Sequence, residues 1–299
     1  MKSFVLCAVT PAAIPAKLIH EVSLALEQIG LKRLNALPTV HERVWECEFQ
    51  GEPVIDHRLV LQALSLVFKA DLALIPQSAA RTSRRLVVFD MDSTLVAGEV
   101  IDEIARYAGV YDKVQAITAR AMKGELDFTQ SLHERVALLK GVSKTHLKTI
   151  EHGLPLQPGV AHTAKILKRH NIHVAILTGG FTFFAENLCR HLGFDEAHAN
   201  HLVFAGDELA GTVTGVVIDG NAKARLMNEI VQRLGLTLDQ VVAVGDGSND
   251  LPMLTTAGLG VAFHAKEKVR RASPCEISQG TMQTLLCYMG LGKEAFDDV

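Results

Sequence analysis

Four short segments constrain what this chain can fold into. "LVVF" at 86–89, "VAIL" at 174–177, "VVAV" at 241–244 and "GVAF" at 260–263 contain no polar side chain. A strand with one wet face alternates polar and apolar residues. A strand without polar positions is buried on both faces, as in a parallel sheet covered by helices on either side. The stretches between these segments carry helical periodicity. The expected class is α/β, a Rossmann-like parallel sheet with helices on both faces. About 80 residues separate the first segment from the second, far beyond the dozen or so that one crossover needs. Within them "EVIDEIARYAG", "VQAITARAM", "FTQSLHERVALLK" and "SKTHLKTIEHG" all read as helices. A helical cap inserted over about 97–160 is the expectation. Later, "HLVF" and "GTVTGVVI" flank the turn-rich "AGDELA" and read as a hairpin.

The first quarter of the chain follows another rule. Residues 3–10 read as a strand, and Ile14, Leu18, Ile19, Val22, Ala25, Leu26 and Ile29 form one helical stripe closed by Gly30. Residues 31–49 alternate, 57–69 are helical, and "DLALIPQ" is extended again. The sum is a ferredoxin-like βαββαβ unit. Residues 1–76 are expected to form one domain, the polar "QSAARTSRR" at 77–85 a linker, and 86–299 the second domain. Two domains suit a chain of 299 residues.

Charge and cysteine usage exclude several classes. Thirty basic and 33 acidic residues are interspersed to a net charge of −3, leaving no basic stripe for a nucleic acid backbone. No apolar run reaches the roughly 18–20 residues that span a bilayer. The "SFVLCAV" start is too short an apolar run for a secretory leader and reads as a strand. Five scattered cysteines without a C-x-x-C pair suit a reducing cytoplasm better than a disulfide framework or zinc. His191, His198 and His201 lack metal-ligand spacing and are set aside.

Every sharp signal follows one of the apolar strands, on the side where ligands bind in open α/β sheets. Asp90 and Asp92 follow the first, Thr178, Gly179 and Gly180 the second, and "GDGSND" at 245–250 the third. Each alone reads equally well as turn punctuation. Their joint, ordered occurrence does not.

"DMDSTLV", "TGGF", the lysine of "NAKARL" and "GDGSNDLPML" resemble the four ordered motifs of the haloacid dehalogenase-like phosphatases. "GEVIDEIA", "AMKGELDFTQSLHERVALLKG" and "GDELAGTVTG" are similar to the cap and hairpin of the phosphoserine phosphatase family, over about residues 85–287. The N-terminal unit resembles an ACT-like regulatory domain in its pattern, which implies a serine-binding or dimerising role and a homodimer formed through it.

The resemblance implies Mg2+-dependent hydrolysis of phosphoserine, a small-molecule substrate, as the last step of serine biosynthesis. Asp90 would be the nucleophile and Asp92 the proton carrier. The Asp90 side chain, the Asp92 backbone carbonyl and the Asp246 carboxylate would hold the metal, with Asp250 beside them. Lys223, Thr178, Gly179 and Asn249 would bind the phosphate, with Gly180 shaping the loop. Thr178 stands where the family usually has serine, and the hydroxyl survives. From the cap, Glu99 would meet the substrate ammonium and Arg135 its carboxylate, while Met122 and Phe128 would shield the site. Read without the resemblance, Glu99 is a helix N-terminal acid, Arg135 a solvated residue, and Met122 and Phe128 ordinary core. Phosphotransfer to homoserine on the same fold and an amino-acid-sensing module with weak phosphatase activity are the alternatives.

Overall fold

The computed structural model describes residues 1–297. The first unit is β1 (Lys2–Val9), α1 (Ala16–Gln28), β2 (Leu31–Ala36), β3 (Val44–Gly51), α2 (His57–Phe68) and β4 (Asp71–Pro76), the expected βαββαβ succession. Its strands are antiparallel in the order β2-β3-β1-β4. Alternation along the strands sends Leu6, Ala8, Leu72 and Leu74 to one face, where Leu18, Val22 and Leu26 of α1 and Leu61 of α2 complete a core.

The other face of this sheet is apolar too. Cys7, Val9, Val44, Ala73 and Ile75 join the main core of the rest of the chain, beside Cys275, Leu286 and Tyr288. The unit is therefore docked, not merely tethered. Asp71 fixes the junction: its Oδ1 accepts the N–H groups of Ser278 at 2.8 Å and Gln279 at 2.9 Å. Its Oδ2 accepts the Gly280 N–H at 2.8 Å and the Thr284 hydroxyl at 3.2 Å. The segment expected as a linker opens with a short helix, α3 (Gln77–Arg81).

Then comes β5 (Leu86–Phe89), followed by the inserted helices α4 (Val100–Tyr107), α5 (Tyr111–Met122), α6 (Phe128–Ala137) and α7 (Lys144–Gly153). The chain continues through α8 (Val160–Arg169), β6 (His173–Phe181), α9 (Thr182–Leu192), β7 (Glu196–Ala205), β8 (Glu208–Thr214), α10 (Gly220–Arg233) and β9 (Val241–Gly245). It ends with α11 (Leu251–Thr256), β10 (Leu259–Phe263), α12 (Glu267–Ala272), β11 (Cys275–Ile277) and α13 (Gln283–Tyr288). The sheet order is β11-β10-β9-β5-β6-β7-β8, parallel except for the β7–β8 hairpin.

Both faces of the central strands are buried, as their composition demanded. Val87, Phe89, Val174, Ile176, Val242 and Val244 face one core. Leu86, Val88, Ala175, Leu177, Val241 and Ala243 face another, closed by Met227, Ile230 and Val231 of α10. The inserted helices leave and rejoin the sheet through paired backbone. The Ala97 N–H bonds to the Pro155 carbonyl at 2.8 Å and the Gln157 N–H to the Leu95 carbonyl at 2.9 Å. Their far end rests on the hairpin, where the Gly141 N–H donates to the Leu209 carbonyl at 2.9 Å and the Leu209 N–H to the Val142 carbonyl at 2.8 Å. No helix among the described residues is long and apolar enough to cross a membrane.

Candidate active site

The order β9-β5-β6 makes neighbours of the three strands whose ends carry the sequence signals. Asp90 leaves β5 with its N–H on the Val244 carbonyl of β9 at 2.9 Å. Asp219 caps α10 by accepting the Ala222 N–H at 2.8 Å, which places Lys223 in the first turn of that helix. Lys223 is fully buried, and its Nζ stands 2.6 Å from both Asp90 Oδ1 and Asp250 Oδ1. Asp250 folds back on its own loop, accepting the Gly247 N–H at 2.9 Å. Asn249 lies in the same loop, half-buried.

Asp92 faces the inserted helices. Its Oδ1 accepts the Val100 N–H at 2.9 Å, at the start of α4. A Cβ on Gly180 would lie 2.7 Å from Asp92 Oδ2, so only glycine lets the end of β6 approach the acid this closely. A Cβ on Gly179 would meet the Phe128 ring at 2.8 Å. Phe128 thus covers the Thr178–Gly180 loop from the first turn of α6. Met122, at the end of α5, is 70% exposed and stands outside this cluster.

Glu99 stands at the N-cap position of α4 but makes no side-chain capping bond, while Asp92 accepts that helix's first N–H. The Glu99 carboxylate accepts the Ser93 hydroxyl at 3.1 Å instead. Ser93 takes a left-handed backbone, φ 58°, and its carbonyl accepts the Gln157 side-chain amide at 3.1 Å. Arg135 donates from Nε to the Ser131 carbonyl at 3.2 Å. Burial lowers its pKa, opposed by the charges of Glu99, Asp102 and Asp92.

Residues 84–258 match the haloacid dehalogenase-like hydrolase family. The chain belongs to the haloacid dehalogenase-like hydrolases. The phosphoserine phosphatase of Streptomyces coelicolor is 42% identical to it over 237 residues, 79% of this chain and 58% of the relative, so this hydrolase spans little more than half of that protein's length. A solved HAD family hydrolase from Salmonella enterica serovar Typhi superposes with a TM-score of 0.84 at 27% identity, covering 97% of this chain and 99% of the other. A probable phosphoserine phosphatase from Vibrio cholerae, in unliganded form, gives 0.77 at 30% identity, over 98% and 88% of the two chains.

The charges of this hydrolase are arranged in two groups. Burial, then Glu99 and Asp90, push Asp92 well above the usual carboxylate range. Burial works against the charge on Lys223, but Asp250 and Asp90 outweigh it and keep the ammonium protonated. In the second group, carboxylate oxygens of Asp90, Asp246 and Asp250 lie within 4.8 Å of one another. Burial and then Asp90, Asp250 and Glu99 raise Asp246 to about 8. A cation relieves such crowding of three carboxyl groups around one ammonium, and hard oxygen donors of this kind fit Mg2+.

Two neighbours that serve these acids were not identified from the sequence as site residues. The buried Thr94 donates its hydroxyl to Asp246 Oδ1 at 3.3 Å, and Ser93 orients Glu99. Both sit beside the motif acids, so proximity was the available signal, although turn-shaping explained them equally well. The histidines set aside have a local explanation in part: His198 hydrogen-bonds to Glu196 at 2.8 Å. All five cysteines are free and buried.

Proposed function

We propose that this hydrolase cleaves O-phospho-L-serine to L-serine and phosphate through an aspartyl phosphate on Asp90, at the end of serine biosynthesis. The observation that carries the reading is the end of β5: Asp90 is paired with buried Lys223 at 2.6 Å, Asp92 follows it with its carboxyl at the start of α4, and Glu99 is held beside them by Ser93. The similarity to proteins named phosphoserine phosphatase supports the substrate.

The Asp90 and Asp246 carboxylates and the Asp92 carbonyl would hold Mg2+, with Asp250 beside them. When bound, the ion neutralises charge on the phosphoryl oxygens and on the crowded acids. Asp90 attacks phosphorus, and the bond from phosphorus to the serine oxygen breaks. Asp92, kept protonated by its surroundings, gives its proton to that leaving oxygen. It then takes a proton from the water that attacks the aspartyl phosphate, which releases phosphate and regenerates Asp90. Thr178, the Gly179 amide, Asn249 and Lys223 stabilise the phosphoryl oxygens. Glu99 faces the substrate ammonium and Arg135 its carboxylate through a two-pronged contact, while Phe128 limits water. The N-terminal unit, residues 1–76, is proposed to bind serine or to pair two chains.

Purified protein supplied with Mg2+ tests the reading by release of inorganic phosphate from phosphoserine. A folded preparation that leaves phosphoserine intact would sink it.

A further inference from the structure

One buried amide interrupts β7. Asn200 is 2% exposed and stands opposite Phe181 in the β6–β7 register. Its Nδ2 donates to the Gly179 carbonyl at 2.9 Å, and its Oδ1 accepts the Ile218 N–H at 2.8 Å. Both partners are backbone groups of fixed polarity, so they dictate which way the carboxamide points. Asparagine is disfavoured in strands. An apolar residue here would take the partner from a half-buried carbonyl and a half-buried N–H.

The two partners belong to different pieces of the phosphate site. The Gly179 carbonyl and the Gly180 N–H are opposite ends of one rigid peptide plane. With the carbonyl held by Asn200, the N–H points away from it and donates to Thr178 Oγ1 at 2.9 Å. A hydroxyl oxygen that accepts a bond in this way keeps its own proton for another acceptor. On the other side, Ile218 precedes Asp219, the cap of the helix that carries Lys223.

We infer that Asn200 is a positioning residue for phosphoryl transfer. It locks the Gly179–Gly180 peptide so that the Thr178 hydroxyl is presented to phosphate as a donor, and it ties that loop to the start of α10. The inference rests on the phosphatase reading above but not on the identity of the alcohol.

A double-mutant cycle on the full chain tests it, with N200D, T178A and the pair assayed on both phosphoserine and p-nitrophenyl phosphate. N200D keeps an acceptor for Ile218 but sets a carboxylate oxygen against the Gly179 carbonyl. N200D is expected to lower kcat by about a hundredfold, the scale of a lost oxyanion donor, with KM moved far less. In the T178A background the same change should have little further effect, because its route through the hydroxyl is gone. Effects that multiply independently, or an N200D enzyme with wild-type kcat, would overturn the inference. Should N200D not accumulate as folded protein, N200S runs the same cycle. A wild type that cleaves p-nitrophenyl phosphate and leaves phosphoserine intact refutes the serine reading alone and keeps the cycle readable.

Discussion

Asp92 Oδ1 and the Val100 nitrogen are 2.9 Å apart, which makes the proposed proton carrier of the core also the N-terminal cap of the first inserted helix. The two roles use different properties of the side chain. Capping needs an acceptor oxygen, and proton transfer needs a titratable one. Asp92→Asn separates them. Its unfolding free energy in urea is expected to change by less than about 1 kcal/mol, while turnover falls by roughly 10²- to 10⁴-fold. Undiminished turnover would remove Asp92 from proton transfer.

The crowding of Asp90, Asp246 and Asp250 predicts a cation effect visible without any assay of activity. Added Mg2+ should raise the thermal midpoint of the wild type, with a stabilisation of about 2.7 kcal/mol at a hundredfold excess over Kd. Asp246→Asn should lose most of that shift, and chelation should abolish wild-type turnover. An equal Mg2+ shift in both proteins would place the ion elsewhere.

Arg135 belongs to α6 of the inserted helices, and the charges of Glu99, Asp102 and Asp92 act on its guanidinium. Arg135→Ala is expected to lower kcat/KM for phosphoserine by about tenfold to a hundredfold, the scale of a charged hydrogen bond. Cleavage of p-nitrophenyl phosphate, which has no carboxylate to read, should change much less. A uniform loss across both substrates would argue for a structural role.

Glu196 on β7 supplies a pH dependence away from the site. Burial would raise its carboxyl, but His198 at 2.8 Å, His173 at 2.6 Å and Arg233 at 2.5 Å outweigh it and hold it below its ordinary 4.5, at about 2. A carboxylate depressed in the folded state stabilises it fully above the unfolded value, and that contribution is lost as pH falls from about 4.5 towards 2. Allowing for partial exposure, about 1–2 kcal/mol should disappear across that window in the wild type. Glu196→Gln should show a correspondingly flatter profile in urea unfolding, and parallel profiles would refute the assignment.

Asp71 joins the two units through four accepted hydrogen bonds. Asp71→Ala leaves three half-buried backbone N–H groups and the buried Thr284 hydroxyl without their partner, so a loss of roughly 2–4 kcal/mol is expected. Deletion of residues 1–76 should do more, exposing the apolar surface around Cys275, Leu286 and Tyr288. Calorimetry of the three proteins checks this. A deleted protein with the wild-type midpoint would show the units to be independent.

Much of the fold was legible because burial imposes a period on sequence. The runs at 86–89, 174–177, 241–244 and 260–263 all became central strands with both faces covered. The same reasoning applied to "DLALIPQ" would have shown that β4 has no wet face, since Ala73 and Ile75 point away from the helices of their own unit into the main core. β11 escaped notice because three residues at a sheet edge carry too little pattern. In the site, Asp90, Asp92 and Asp250 stood out because each lies at or just after a strand end, whereas Lys223 was named only through the family resemblance; the structure pairs it with Asp90 and Asp250.

The sequence alone determined the βαββαβ unit, the doubly covered parallel sheet, the inserted helices and the order of the chemical motifs, since each is written in a local period or a short run of residues. Only the tertiary structure decided that Asp71 clamps Ser278–Gly280, that Asp92 caps α4, and that Asn200 joins Gly179 to Ile218. Two of these links, Asp71 to Ser278–Gly280 and Asn200 to Gly179 and Ile218, join residues far apart in the chain, and all three depend on ångström-level placement set by strand register and loop path. No local pattern records such distances.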